Sequence, residues 1–395
     1  MIVLALITLT AAFCSGLTVQ SSKIDLTPPE PLPLGGYTER KGALFAPGGD
    51  PLWCRTEVLS EGKSRVALVS LEMLTVPESL VREVSARLPK DVRVFLSATH
   101  THCAPDSQML NDRMTFAIPG IASYKRRWLT WYADQIAKGI QEALKSPPTS
   151  VLTIELESSI LAMNRGRRTG AKPSPREWTV LANHVPLITS YAAHATLFDK
   201  DRLQLSGDWP GAIMKQRGGI FLPGAIGDVS PLPVGKTPLE QIQSFVDVFR
   251  KLPHHGDTID TAPLRWNQSS IPIDKPKPHP TFAQTNKIPE PLAQGLVEKF
   301  APSNPVITSV RLGNLAIVGV PGEPTADLGR RIEDAGRELG FTGTIVVSHV
   351  NGWMGYILTP DDYDRGGYEA TLSFNGRRTG DRVVAAAIES MRALR

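Results

Sequence analysis

The chain has 395 residues, 41% of them hydrophobic and 21% charged, an ordinary globular composition with ample apolar material for a sizeable core. Its 43 Lys and Arg against 39 Asp and Glu leave a formal charge of +4, and no long basic run concentrates it. So thin an excess excludes the electrostatic footprint of a nucleic-acid binder.

In chain order, the first seventeen residues, MIVLALITLTAAFCSGL, carry no charge and pass from an apolar core to small residues. They read as an export signal within residues 1–22, directing the protein to the periplasm or outside the cell, with a lipoprotein signal ending at Cys14, a retained membrane anchor and a buried apolar strand as the other readings. The run is short for a transmembrane helix, which needs about 20 apolar residues. Once the leader is removed, Cys54 and Cys103 remain. They form no CxxC pair, and whether they bridge is not decided by their spacing.

From Ser64 the chain alternates apolar strands with amphipathic helices. Arg65–Leu71 and Val92–Ala98 are short, continuous apolar runs, and the helix opened by Pro77 between them puts Leu80, Val81, Val84 and Leu88 on one face. This is a βαβ unit, which favours parallel pairing. A longer helix near Tyr124–Lys145 carries a core stripe of Trp128, Tyr132, Ile136, Ile140 and Leu144. Further strands are expected at Leu152–Leu156, Val185–Tyr191, Gly219–Leu222, Val306–Arg311, Leu315–Val320 and Thr344–His349, and helices at Thr325–Leu339 and Asp381–Leu394. Residues 236–305 are proline-rich and read as a loop-rich insert. The expectation is a single α/β domain over 23–395, with mixed, largely parallel sheets flanked by helices.

Chemistry-bearing residues follow directly on apolar runs. Val92–Ala98 leads into Thr99-His100-Thr101-His102, and Val185–Tyr191 leads to His194. The run at 220–222 leads to Gly227-Asp228-Val229-Ser230-Pro231, and that at 315–320 to Pro321-Gly322-Glu323-Pro324. Ligands bind beyond the carboxyl ends of strands in open α/β sheets, so four such ends are candidates for one cleft. Histidine and carboxylate are zinc ligands. Alternate residues share a face in extended chain, so His100 and His102 either both bind a metal or divide metal and substrate between them. Asp208 and Asp228 either orient a ligand histidine or cap a turn. His254, His255 and His279 read as loop histidines.

Six ordered blocks resemble the neutral ceramidase family. They are LSATHTHCAPDS, MNRGR (Met163 to Arg167), YAAHATLFDKDRLQLSGDWPG, GAIGDVSP, VPGEPTADLGRRI and GYILTPDDYDRGGYEA, lying within Gly36 to Gly376. The resemblance implies a zinc held by His100, His194, Glu323 and Tyr356. It implies that His102, Arg165 and Tyr368 contact the substrate amide or its developing charge, and that Ser230 is a catalytic residue. The implied reaction is hydrolysis of an N-acyl amide, ceramide or a ceramide-like lipid, by zinc-activated water, with transient contact to a membrane surface and no nucleic-acid partner. The chain resembles a short form without the family's C-terminal β-rich domain. Ala195, Cys103 and Trp209-Pro210 depart from the family's pattern around the ligands, so the substrate is less constrained than the chemistry. Three other readings compete: an amidohydrolase-type enzyme whose metal takes both His100 and His102, a metal-free serine hydrolase using Ser230, and a non-catalytic binding protein on the same fold. Oligomeric state is not legible.

Overall fold

Why the apolar runs are continuous is answered by where they lie. The computed structural model describes residues 16–168, 170–252 and 256–395. Ser64–Leu71 and Val92–Ala98 are buried over almost their whole length because both faces of their sheet are covered. That first sheet has the order Val92–Ala98, Ser64–Leu71, Trp53–Glu61, Thr18–Asp25, Thr149–Ser150. Its first two strands are parallel and joined through the helix Glu78–Ser85, as the βαβ reading requires. On one face the helix Arg126–Lys145 buries Trp128, Tyr132, Ile136 and Ile140. Each such fully buried side chain contributes on the order of 1.5–3 kcal/mol.

The other face contributes Leu59, Val66, Leu68 and Phe95 to a core shared with two more sheets. The second sheet runs Ile220–Pro223, Val185–Tyr191, Arg176–Ala182, Ile154–Ile160, Asp257–Ile259. The third runs Leu264–Ser270, Val306–Leu312, Leu315–Gly319, Gly343–Val347. Their strands supply Val180, Ile188, Leu222, Val310, Ile317 and Val347 to the same cluster. Outer helices complete the layers. Asp208–Arg217 and Pro238–Arg250 cover the second sheet through Trp209 and Phe245, and Ala326–Glu338 and Thr379–Ala393 cover the third through Ile332 and Val383.

The mixed α/β architecture is as expected, but the sheets are not largely parallel. Among the described residues the parallel pairs are Ser64–Leu71 with Val92–Ala98, Val185–Tyr191 with Ile220–Pro223, Leu315–Gly319 with Gly343–Val347, and Glu323–Pro324 with Tyr356–Ile357. The remaining pairs between named strands are antiparallel. Hairpins such as Arg176–Ala182 with Val185–Tyr191, turned through Asn183 and His184 at positive φ, account for the difference.

Two stretches can be placed against the observed elements. Residues 18–22, placed with the leader, lie in the strand Thr18–Asp25, which pairs in full with Trp53–Glu61; residues 1–15 of the leader are outside the described residues. The stretch 236–305 is not merely loop. It holds the helices Pro238–Arg250, Phe282–Asn286 and Glu290–Phe300 and the strands Asp257–Ile259 and Leu264–Ser270. Its prolines partly mark helix starts, Pro238 following the capping box of Thr237 and Glu240. No helix among the described residues is long and apolar enough to cross a membrane.

Candidate metal centre and its cleft

Each candidate ligand is fixed by backbone before it is fixed by side chain. Beyond Ala98 the chain turns through His100 in the left-handed region, φ 65°, with the His100 N–H donating to Met73 O (3.0 Å). The His100 ring places Nδ1 2.8 Å from Leu74 O, so that nitrogen carries the proton and Nε2 is left free to accept. His194, three residues beyond Tyr191, repeats the arrangement, with both its N–H (3.2 Å) and its Nδ1 (2.8 Å) on Val229 O. Glu323 and Tyr356 are directly opposite each other in the two-residue parallel pair.

Gly227 permits this assembly. A Cβ there would lie 2.3 Å from Glu323 O, so only glycine lets the Asp228-Val229-Ser230 segment reach the histidine. Asp228 Oδ1 then accepts from Ala326 N (2.8 Å) at the start of the helix Ala326–Glu338. Asp208 accepts from the amides of Leu197, Phe198 and Trp209. Both aspartates therefore cap backbone, and neither touches a ligand histidine.

The result is a buried triad of His100, His194 and Glu323 whose ligand atoms all lie within 4.8 Å of one another. Glu323 Oε2 is 3.3 Å from His194 Nε2 and 3.7 Å from His100 Nε2. Glu323 Oε1 accepts from Trp353 Nε1 (3.1 Å). Burial pushes both histidines down, His194 to about 4, with the Arg167 charge adding to it. Burial would push Glu323 up, but the charge of His100 and the contact with His194 outweigh it and hold the carboxyl well below its usual range. Burial raises the Tyr356 phenol, and the neighbouring Glu323 adds to the rise.

His194 Nε2 and Glu323 Oε2 are buried without any hydrogen-bond partner. An unmet anionic oxygen facing an unmet imidazole lone pair is costly in a dry site unless a cation lies between them. Two backbone-anchored imidazoles and a carboxylate held by an indole are also the donor set and the outer support that zinc sites use. The residues fit the metal.

His102 is placed differently. Its Nε2 lies 3.3 Å from His100 Nε2, but it falls outside the triad and faces the cleft. Gly36 lies against its ring, where a Cβ would come within 2.4 Å of Nδ1, and Tyr37 meets it edge-on at 4.7 Å. Beyond the triad opens a cleft of about 190 Å³, its walls including Ile118, Ile121, Phe282, Leu296, Phe300 and Phe374. Tyr368 lines it with its ring 6.0 Å from that of Tyr356, the residue as a whole 54% exposed.

Ser230 and Arg165 are partners across the short ladder of Val229–Pro231 and Asn164–Gly166. Arg165 is exposed, and neither residue lines the cleft. Arg167, two positions on, is the arginine that reaches Tyr356, with Nη2 3.4 Å from its hydroxyl. The sequence reading also passed over His349, fully buried, φ 56°, stacked on His100 at 4.1 Å with both ring nitrogens unpartnered. A lone histidine after the strand Gly343–Val347 carried no spacing signal; only the repeated pattern of strand followed by histidine could have marked it. His279 bonds Thr281 and Tyr363 O, a structural placement, and His254 and His255 lie outside the described residues. Cys54 and Cys103 are free and buried in separate places, not bridged.

The geometry has parallels among known proteins. No family model matches the chain. A stretch of 131 residues is 30% identical to neutral ceramidase A of Dictyostelium discoideum, covering 31% of this chain and 18% of that protein. Another of 113 residues is 30% identical to neutral ceramidase 2 of Arabidopsis thaliana, covering 26% and 14%. The matches thus span less than a fifth of either relative. Among solved structures, the neutral ceramidase from Pseudomonas aeruginosa aligns over 96% of this chain and 74% of its own, with a TM-score of 0.77 at 17% identity. A ceramidase complexed with C2 aligns over 96% and 75%, at 0.75 and 17%. The architecture is a mixed α/β domain of several sheets with a buried His-His-Glu centre at strand ends. The chain is similar to neutral ceramidases, in fold over nearly its whole length and in sequence over about a third.

Proposed function

We propose that the chain is a zinc-dependent hydrolase of N-acyl amides, acting on ceramide or a ceramide-like lipid amide, with the metal held by His100, His194, Glu323 and Tyr356. The observation that carries this reading is the facing pair of unpartnered buried atoms, His194 Nε2 and Glu323 Oε2, with Glu323 and His100 also lining an apolar cleft. Zinc bound there would supply Lewis acidity, polarising a carbonyl and bringing the pKa of a coordinated water to about 7.

The chain's own residues do the rest. The apolar walls take an acyl chain and exclude water, which strengthens every polar contact near the triad. The departing amine needs a proton. Of the titratable groups lining the cleft outside the ligand set, Tyr37 donates to Phe198 O and Asp106 accepts from Gln108 and Ala122 amides. His102 and Tyr368 remain, and they are the proposed contacts to the amide and its developing charge. Arg165 and Ser230 lie outside the cleft walls; the roles proposed for them are unchanged, Arg165 at the amide or its developing charge and Ser230 as a catalytic residue. Export by the leader and brief contact with a membrane surface belong to the same proposal.

Zinc content and turnover on ceramide and on shorter N-acyl amides, measured on one sample with and without phenanthroline, test it. About one zinc per chain, with turnover lost on chelation and restored by zinc, is expected. Activity that survives chelation returns the reaction to Ser230. Bound zinc with no acyl amide cleaved leaves a binding protein.

A further inference from the structure

We propose that Arg167 positions the Tyr356 hydroxyl for metal binding; this rests on the zinc reading above. Arg167 is anchored on three sides. Its amide donates to Asp228 O (2.7 Å), its Nη2 donates to Gly227 O (2.7 Å), and its Nε lies 3.5 Å from Glu369 Oε1. From that cradle Nη2 also reaches Tyr356 Oη at 3.4 Å, and the guanidinium carbon stands 5.7 Å from the centroid of the tyrosine ring. A guanidinium can only donate, so it engages a lone pair of Oη. The backbone of Tyr356 is placed by its pairing with Glu323, and the donor then restrains the ring and the direction of the hydroxyl. Outer partners of this kind hold a ligand's orientation in metal sites.

Arg168 separates this role from simple bracing. It takes the other Glu369 oxygen (2.9 Å) and the carbonyls of Asp362 (2.7 Å) and Gly366 (3.0 Å), tying down the segment that bears Tyr363 and Tyr368. Arg168 clamps the loop, and Arg167 touches the ligand.

The test uses the full chain loaded with zinc, and separately with cobalt(II), whose visible spectrum reports the ligand set. Arg167→Gln is expected to weaken zinc binding about 10–100-fold and to move the cobalt spectrum toward that of Tyr356→Phe. Arg167→Lys keeps a charge beside Glu369 without the fork, and should fall between Arg167→Gln and the wild type; it serves also if Arg167→Gln does not fold. Arg168→Gln should leave affinity and spectrum as in the wild type. Wild-type affinity and spectrum in Arg167→Gln, or equal effects from Arg167→Gln and Arg168→Gln, overturn the assignment while leaving the zinc reading intact. A wild type that takes up neither metal overturns both.

Discussion

Glu323 and Glu177 are the same residue type at nearly the same depth, yet the protein treats them in opposite ways. Glu177 lies in the second sheet with one oxygen on Thr179 and the other unpartnered; burial pushes its carboxyl up to about 7. Glu57 and Glu72 in and beside the first sheet behave likewise, pushed by burial to about 7 and about 8. Glu323 is as deeply buried, but two imidazoles face it and a third, His349, lies close, and it is held ionised. Desolvation is common to all four; what differs is the number of opposing dipoles and charges within reach. The sheets tolerate acids that are neutral when buried, whereas at the centre the imidazoles hold the carboxyl low and burial pushes the imidazoles themselves down, the directions a bound cation requires of its ligands.

The sharpest way to break this contrast is to neutralise each acid without changing its volume. Glu323→Gln should abolish zinc uptake and lower amide turnover by at least about 10³-fold, since the Lewis acid supplies several kcal/mol. Glu177→Gln should retain both. Equal loss from the two would mean that general destabilisation, not the centre, was being read. Next in size is the separation of the two histidines of the His-Thr-His segment. His100→Ala should lose the metal. His102→Ala should keep it and lose about 10²–10³ in rate, the typical cost of one donor to a developing oxyanion. Metal lost equally from both would restore the amidohydrolase-type arrangement. A smaller effect is expected from Trp353→Phe, which removes the only donor to Glu323 Oε1 among the described residues and keeps a ring. Zinc affinity should fall about tenfold, read by competition with a chromophoric chelator, with the fold intact. Unchanged affinity would show that the carboxylate needs no outer support.

These tests also mark how far the sequence could be read. The βαβ unit and the strands at 185–191, 306–311 and 315–320 were legible because their apolar runs are buried on both faces, and strand ends then pointed to His100, His194 and Glu323. Tyr356 was legible only through the resemblance, since a single buried tyrosine looks like core. The direction of most sheets was not legible. Strands such as Thr18–Asp25 and Arg176–Ala182 alternate or mix polar and apolar residues, and the first finds its antiparallel partner Trp53–Glu61 only after a long connection. The cleft wall was hidden for a related reason. Phe282, Leu296 and Phe300 come from short helices in a proline-rich stretch, and what they face depends on residues far away in the chain. Arg165 against Arg167 is a register question: the ladder with Val229–Pro231 ends at Gly166, and the backbone beyond it carries Arg167 to the tyrosine.

The smallest effect concerns pH. In the unfolded chain Glu177 titrates at its ordinary 4.5, and in the folded protein at about 7. Between these values the folded state keeps a proton that the unfolded state has released, so stability falls as pH rises through the window. The contribution is whole below about 4.5 and gone above about 7. The displacement corresponds to about 3 kcal/mol as an upper bound, since one pH unit is worth about 1.4 kcal/mol. Glu177→Gln should therefore unfold with a flatter dependence between pH 5 and pH 8 and be more stable than the wild type at pH 8, by about 2 kcal/mol. Denaturant titrations at the two pH values decide it. Some slope should persist, because Glu57 and Glu72 titrate in the same direction. Parallel curves for the two proteins would mean that Glu177 is ionised in the fold after all, and the distinction between the acids of the sheets and the acid of the centre would fail at this residue.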